Sequence, residues 1–498
     1  TNQSDLAALK AVVTAKLSGS SIPDGPQNAN LNLDDIALNL DNGAMNISQY
    51  TAEGFGLKGR GSLKGTSVLD AATLTGPFTV ERFNLRELLT KLDVDLDMSD
   101  NTALTAVEGS TSLRMTPNGF ELRDLKATLD QSQITGFVKL TGKTPEVSLS
   151  LDKLLLDGYL SPPDNIEGQD RAVDTIELPA QTIRDLNLNG QLRIGSLNVG
   201  GIASTNVEVQ LAASDGDVRL YPIKAQLYGG SYSGDVSVTA QGEVPEIALN
   251  ESFTNVDFGA LSQELAGSQR LSGRVTGALK VTARGHNTRD LKASSDGTVS
   301  FNFKDGVLDG INVMETVRNI VATANKEASI PDEPNRTEFR SLQGTATISK
   351  GVLSNDDLNI DIPLMRISGK GSLDLNTKAI DYRVAANVVQ EGNIPLEKEL
   401  RFISDYTLPL VIGGTYEAPE VDATRSIADL AKQYAKKRLQ DKLLEKLGVG
   451  GKDDEETPPA DGEPALSPEE KADQEKEKLK DALDNKLKDK LKDLLGGG

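Results

Sequence analysis

In the stretch 296–313, DGTVSFNFKDGVLDGINV, Val299, Phe301 and Phe303 alternate with Ser300 and Asn302. A period of two belongs to a β-strand with one apolar and one wet face, because successive strand side chains point to opposite sides. Ser300 and Asn302 are therefore expected to face water. The Asp305-Gly306 pair reads as a hairpin turn, with Val307 and Leu308 opening a second strand. The same alternation carries Leu31, Leu33, Ile36, Leu38 and Leu40, then Leu358, Ile360 and Ile362, then Ile380, Tyr382, Val384, Ala386 and Val388. Strands wet on one face belong to antiparallel sheets covered on one side only. From about 12 to about 421 the chain is thus expected to be mainly β, an elongated, curled antiparallel sheet of about 25 strands running on the order of 120 Å at ~4.8 Å per strand.

The pattern repeats. Residues 118–160 resemble 215–265, residues 350–388 form a third copy, and 42–92 a looser fourth. Each reads as two strands, a turn, two strands across a second turn, and an Asp leading into a short Leu-containing piece. Short helices are expected at 85–92, 258–265 and 313–325. The Pro162-Pro163 loop divides an N-terminal β portion, 1–160, from a C-terminal one, 161–425. A helix or helix pair at 426–448 follows, with Ile427, Leu430 and Tyr434 on one side and Leu439, Leu443 and Leu447 on another, and Gly448 as a C-cap. Its six Lys and Arg residues spread around the helix, which reads as a solvated surface rather than a basic membrane face. The acidic, Pro-containing stretch 449–466 is expected to be a disordered linker. The capping box Ser467-Pro468-Glu469-Glu470 opens a charged C-terminal helix to 498, with Leu479, Leu483, Leu487 and Leu491 in one stripe.

Composition excludes several classes of function. A formal net charge of −21 opposes nucleic-acid binding and adsorption to anionic headgroups. Cysteine and tryptophan are absent, so thiolate metal sites and disulfides are excluded. The lone His286, in an inter-strand loop, reads as solvated. Gly54-Phe55-Gly56-Leu57-Lys58-Gly59 spells a dinucleotide-binding pattern, but the Gly-rich strand after it is the wrong context. Asp93, Asp95 and Asp97 fail the calcium-loop pattern, having Met98 at its sixth position and Leu104 at its twelfth. No catalytic set, metal site or cofactor motif emerges. No apolar run reaches the ~20 residues that span a bilayer. The chain begins at Thr1 rather than Met, so an upstream signal or anchor segment is expected to have been removed.

Periodicity leaves open what covers the apolar face: a second sheet in a dry sandwich, or an apolar ligand. The stretches ELRDLKATLDQSQITGFVKL and LDKLLLDGYLSPP, and above all the long run VDFGALSQELAGSQRLSGRVTGALKVTARGHNTRDLKASSDGTVSFNFKDGVLDGINV, resemble the C-terminal part of AsmA-family proteins, a resemblance that covers roughly 31–421. The resemblance implies the periplasmic part of a protein held in the inner membrane of a diderm bacterium by an N-terminal helix. It also implies kinship with bridge-like lipid transfer proteins, phospholipids as partners, work in outer-membrane assembly with outer-membrane or periplasmic proteins as further partners, and no catalytic residues. Under that reading the lipid-groove candidates are Val299, Phe301, Phe303, Leu358, Ile360, Ile362, Val384 and Val388. A scaffold β-sandwich that affects outer-membrane protein assembly is the alternative.

Overall fold

The computed structural model describes residues 5–17, 27–94, 96, 98–160, 178, 180–325, 334–390, 392, 396, 400–401, 403–404 and 406–446. They form two units: Thr1–Thr316 with Asp332–Asp422, and Val317–Pro331 with Ala423–Gly498. The described part of the second is helical, including one helix at Thr424–Lys446 where two short ones were also conceivable. The C-cap expected at Gly448, the linker at 449–466 and the helix at 467–498 lie outside the described residues.

The described residues of the first unit form one sheet of 22 strands, from β1 (Asp5–Leu17) to β22 (Pro419–Asp422). Each strand pairs with its sequence neighbours, and every pairing is antiparallel except that of β9 (Thr144–Leu155) with β10 (Leu188–Val199), which is parallel. The strands form a single continuous ladder, not the two sheets of a sandwich. Among the described residues neither edge is closed. β22 is four residues long and begins with Pro419, which blunts that edge.

Tight turns come from residues that tolerate positive φ. Phe55-Gly56, Asp215-Gly216, Tyr228-Gly229 and Lys350-Gly351 each have both φ angles positive, the geometry that matches strand twist in two-residue hairpins. Gly54 to Gly59 is thereby a hairpin joining β3 (Met45–Gly54) to β4 (Leu57–Thr66), as its context required.

Asp305-Gly306 is not a turn. Both residues lie inside a single strand, β16 (Asp296–Asp309), where two residues oppose Gly273 of β15 (Leu271–Arg284) as a bulge. Asp305 takes φ 49°, and a Cβ on Gly306 would lie 2.1 Å from the Ser272 carbonyl oxygen. Asp-Gly supplies positive φ equally to a bulge and to a turn, and here both neighbouring strands hold the backbone in the ladder.

The same substitution of bulge for turn corrects the repeat. Each copy has three strands, not four, because its first two apolar runs are one bulged strand. The pairs 48–49, 123–124, 221–222 and 356–357 each stand opposite one residue of the next strand. Immediately beyond each bulge the partner residue is glycine: Gly61, Gly136, Gly234 and Gly369. Bulges bend a strand and increase its twist, so their recurrence curls the sheet.

The expected helices are present as α1 (Leu85–Lys91), α3 (Phe258–Ala266) and α5 (Val313–Asn325). Asn84, Asp257 and Asn312 cap them, accepting hydrogen bonds from the backbone N–H of Glu87, Ala260 and Glu315. Two shorter helices were not foreseen, α2 (Ala180–Asp185) and α4 (Thr288–Ser294).

Candidate lipid-binding groove

The apolar face is built from cross-strand rows. Ladder partners run Val256, Val275, Phe303, Leu342, Ile360, Ile367, Ala386 and Leu408 across eight consecutive strands without a polar side chain. Beside it runs a row in which glycines separate large residues: Phe253, Gly277, Phe301 and Gly344, then Leu358, Gly369, Val384 and Leu410 beyond a bulge. The glycines leave space for their neighbours. A Cβ on Gly344 would sit 3.0 Å from the Phe301 ring, and one on Gly369 3.0 Å from Val384.

Parts of both rows line a groove of about 480 Å³. Phe301, Phe303, Leu358, Ile360 and Val384 are on its wall, together with Leu342, Ile367, Leu410 and Ile412. Phe258 of α3 meets Phe303 edge-on, with centroids 5.0 Å apart. The phenol of Tyr382 also lines the groove and donates to the side-chain oxygen of Asn355. Burial, and then the nearby Asp357 charge, push its pKa up to about 12.

Five of the eight expected groove residues thus come together. Ile362 and Val388 lie on the same face but are buried and do not line the groove. Val299 is half-buried beside Leu279 and Ala346 and borders a separate, more polar pocket. The polar face also differs from expectation. Ser300 is exposed, but Asn302 is half-buried, and its side-chain oxygen has no hydrogen-bond partner among the described residues. Leu410 and Ile412 were legible in the alternation of TLPLVIGG (Thr407–Gly414) but not singled out.

A second apolar groove, of about 720 Å³, lies among the N-terminal strands. Its floor is a row of small residues, Ala52, Gly59, Gly109 and Ala127, interrupted by Val80. Small side chains on the floor and Val13, Leu31, Phe78 and Leu125 on the sides give it depth. The tyrosine beside it, Tyr50, stacks on Phe78 at 6.2 Å. Glycine and alanine do not mark an apolar face by hydrophobicity, so this groove left little trace in the alternation.

His286 is exposed in the loop before α4. Among the described residues no cluster of His, Cys, Asp and Glu could hold a metal ion, and no helix is long and apolar enough to cross a membrane. The family model described as AsmA family matches residues 16–358. Protein AsmA of Escherichia coli (strain K12) is 21% identical over 348 residues, which cover 64% of this chain and 55% of the relative. The chain therefore spans about half the length of that relative. No solved structure matches.

Proposed function

The chain belongs to the AsmA family, and from that premise we propose that it is the periplasmic part of an inner-membrane-anchored protein of a diderm bacterium that shields phospholipid acyl chains. In this reading the protein supports lipid movement to, and assembly of, the outer membrane. The observation that carries it is the open apolar groove walled by the half-buried Phe301, Leu358, Ile360 and Ile412 on the long ladder, while the row from Val256 to Leu408 beside it is mostly buried and gives that wall its backing. Exposing an acyl chain of about sixteen carbons to water costs roughly 0.8 kcal/mol per CH₂, about 13 kcal/mol in all. A face of interchangeable Phe, Leu, Ile and Val offsets most of that cost while holding no position tightly, as sliding requires.

The test places one negative charge on either face. Phe301→Asp puts a carboxylate on the groove wall, and Ser300→Asp puts it on the exposed polar face. With a photoreactive residue at position 358, Phe301→Asp is expected to lower phospholipid crosslinking at least tenfold and Ser300→Asp to leave it within twofold. Thermal melting of each variant establishes that it is folded. Equal crosslinking by the two folded variants would sink the groove reading.

A further inference from the structure

On β14 (Glu246–Asp257), Ile247, Leu249, Glu251 and Phe253 alternate on one side of the sheet. Their ladder partners on that side include Val238, Val236, Gly234 and Tyr232 on β13 (Gly230–Thr239) and Ala283, Val281, Leu279 and Gly277 on β15. Glu251 thus stands on the apolar face. Its side is nearly sealed, since the residue is only 6% exposed. The Tyr232 hydroxyl donates to Glu251 Oε2 at 2.5 Å, while Oε1 is buried with no hydrogen-bond partner among the described residues. A buried polar atom left unpaired is costly.

The space for this pair is made by the repeat glycine. A Cβ on Gly234 would fall 2.1 Å from Glu251 Oε2 and 2.4 Å from the Tyr232 oxygen. At the equivalent Gly61 the space is taken by the Tyr50 ring, and at Gly369 by Val384 and Leu358. One copy therefore places a carboxyl group where two others place a ring or aliphatic side chains, and one of its oxygens lacks a donor.

We propose that Glu251 and Tyr232 form a binding site for a primary ammonium group carried by an amphiphile, whose apolar tail lies on the Phe301 and Phe303 wall. The site rests on the groove reading above, because the tail needs that wall. Glu251 stands opposite Leu279 and, one strand further, Val299, while Phe253, two residues along β14 on the same side, opens the row of Phe253, Gly277 and Phe301 that leads to the wall; strand spacing and rise put Glu251 roughly 12 Å from Phe301. A primary ammonium brings both charge and three N–H donors, and a charge-assisted hydrogen bond to Oε1 would be strong on a dry face. A quaternary ammonium brings charge without a donor and leaves Oε1 unpaired. Entry requires side chains over the carboxyl group to change rotamer, a common adjustment on binding.

The experiment uses the full chain with dodecylamine, dodecyltrimethylammonium and dodecanol below their micelle concentrations, read by native mass spectrometry and calorimetry. The wild-type protein is expected to bind dodecylamine at least tenfold more tightly than the trimethyl compound. Glu251→Gln, close to the native shape, should abolish that preference while dodecanol binding stays within twofold. Its melting temperature is followed in parallel. Equal binding of all three by the wild-type protein overturns the ammonium site and leaves the groove standing. A preference that survives in folded Glu251→Gln also overturns it. Failure of every amphiphile to bind overturns the groove reading and the site together.

Discussion

A carboxyl group set on an apolar face carries its cost as a dependence on pH. Burial, the largest cause, raises the pKa of Glu251 above its ordinary 4.5. Between 4.5 and the raised value the folded chain holds a proton that the unfolded chain has lost, so Glu251 lowers stability as pH rises through that window. Below 4.5 both states are protonated and the effect vanishes. Glu251→Gln is therefore expected to raise the melting temperature at pH 8 and to leave it unchanged near pH 4. An equal gain at both values would mean that the carboxyl group is not held unpaired. The glycine opposite is as constrained. Gly234→Ala forces Cβ into the Glu251 and Tyr232 oxygens and should cost about 1–3 kcal/mol. At Gly413→Ala, where nothing lies within 4 Å of the added atom, the cost should be near zero by denaturant titration. Of this site the sequence shows only an alternation, with Glu251 in an otherwise apolar register. The pairing with Tyr232 depends on register across β13 and β14, which periodicity within one strand cannot supply.

Bulges, more than turns, separate what could be read in advance from what could not. Alternation locates the strands, and helical composition and spacing locate α1, α3 and α5. A break in alternation does not say whether the chain reverses or bulges. Asp124 and Asp305 take φ values of 51° and 49° inside strands, and the same residue types serve the hairpins. Neighbouring strands make the choice, and they are distant in the alternation itself. The short helices α2 and α4 each carry one large apolar side chain, Ile183 and Leu291, and so display no helical spacing, whereas α1, as short as α4, carries Leu85, Leu88 and Leu89. The left-handed backbone at Asp305 has a measurable consequence. Asp305→Val should destabilise the sheet by about 1–2 kcal/mol, the usual penalty for a side chain in that region, and β-branching adds to the crowding. Asp305→Gly should be close to neutral. Comparable losses for both variants in chemical denaturation would show that the Asp side chain, and not the backbone angle, maintains the bulge.

At the scale of the whole sheet, each strand contacts its sequence neighbours, so stability is expected to vary along the ladder as in repeat proteins. Fully buried side chains gather late in the order, with Met365 and Leu400 at 0% exposure and Leu408 at 2%. At the other edge β1 has one neighbour, and its Val12 and Val13 are 71% and 51% exposed. Local opening follows such differences in burial. Amide hydrogen exchange by mass spectrometry should therefore be slowest around β18 (Val352–Ile362) to β20 (Ile380–Val388), intermediate through the N-terminal groove, and fastest on β1. A single protection factor across all strands would mean global unfolding is the only route to exchange, and the nearest-neighbour account would fail. The gradient also bears on cargo. Under the proposed function, a face that receives and releases acyl chains must open somewhere without unfolding everywhere. If β1 opens most readily, added dodecanol should slow exchange first in the strands around the N-terminal groove, before it changes β18 to β20.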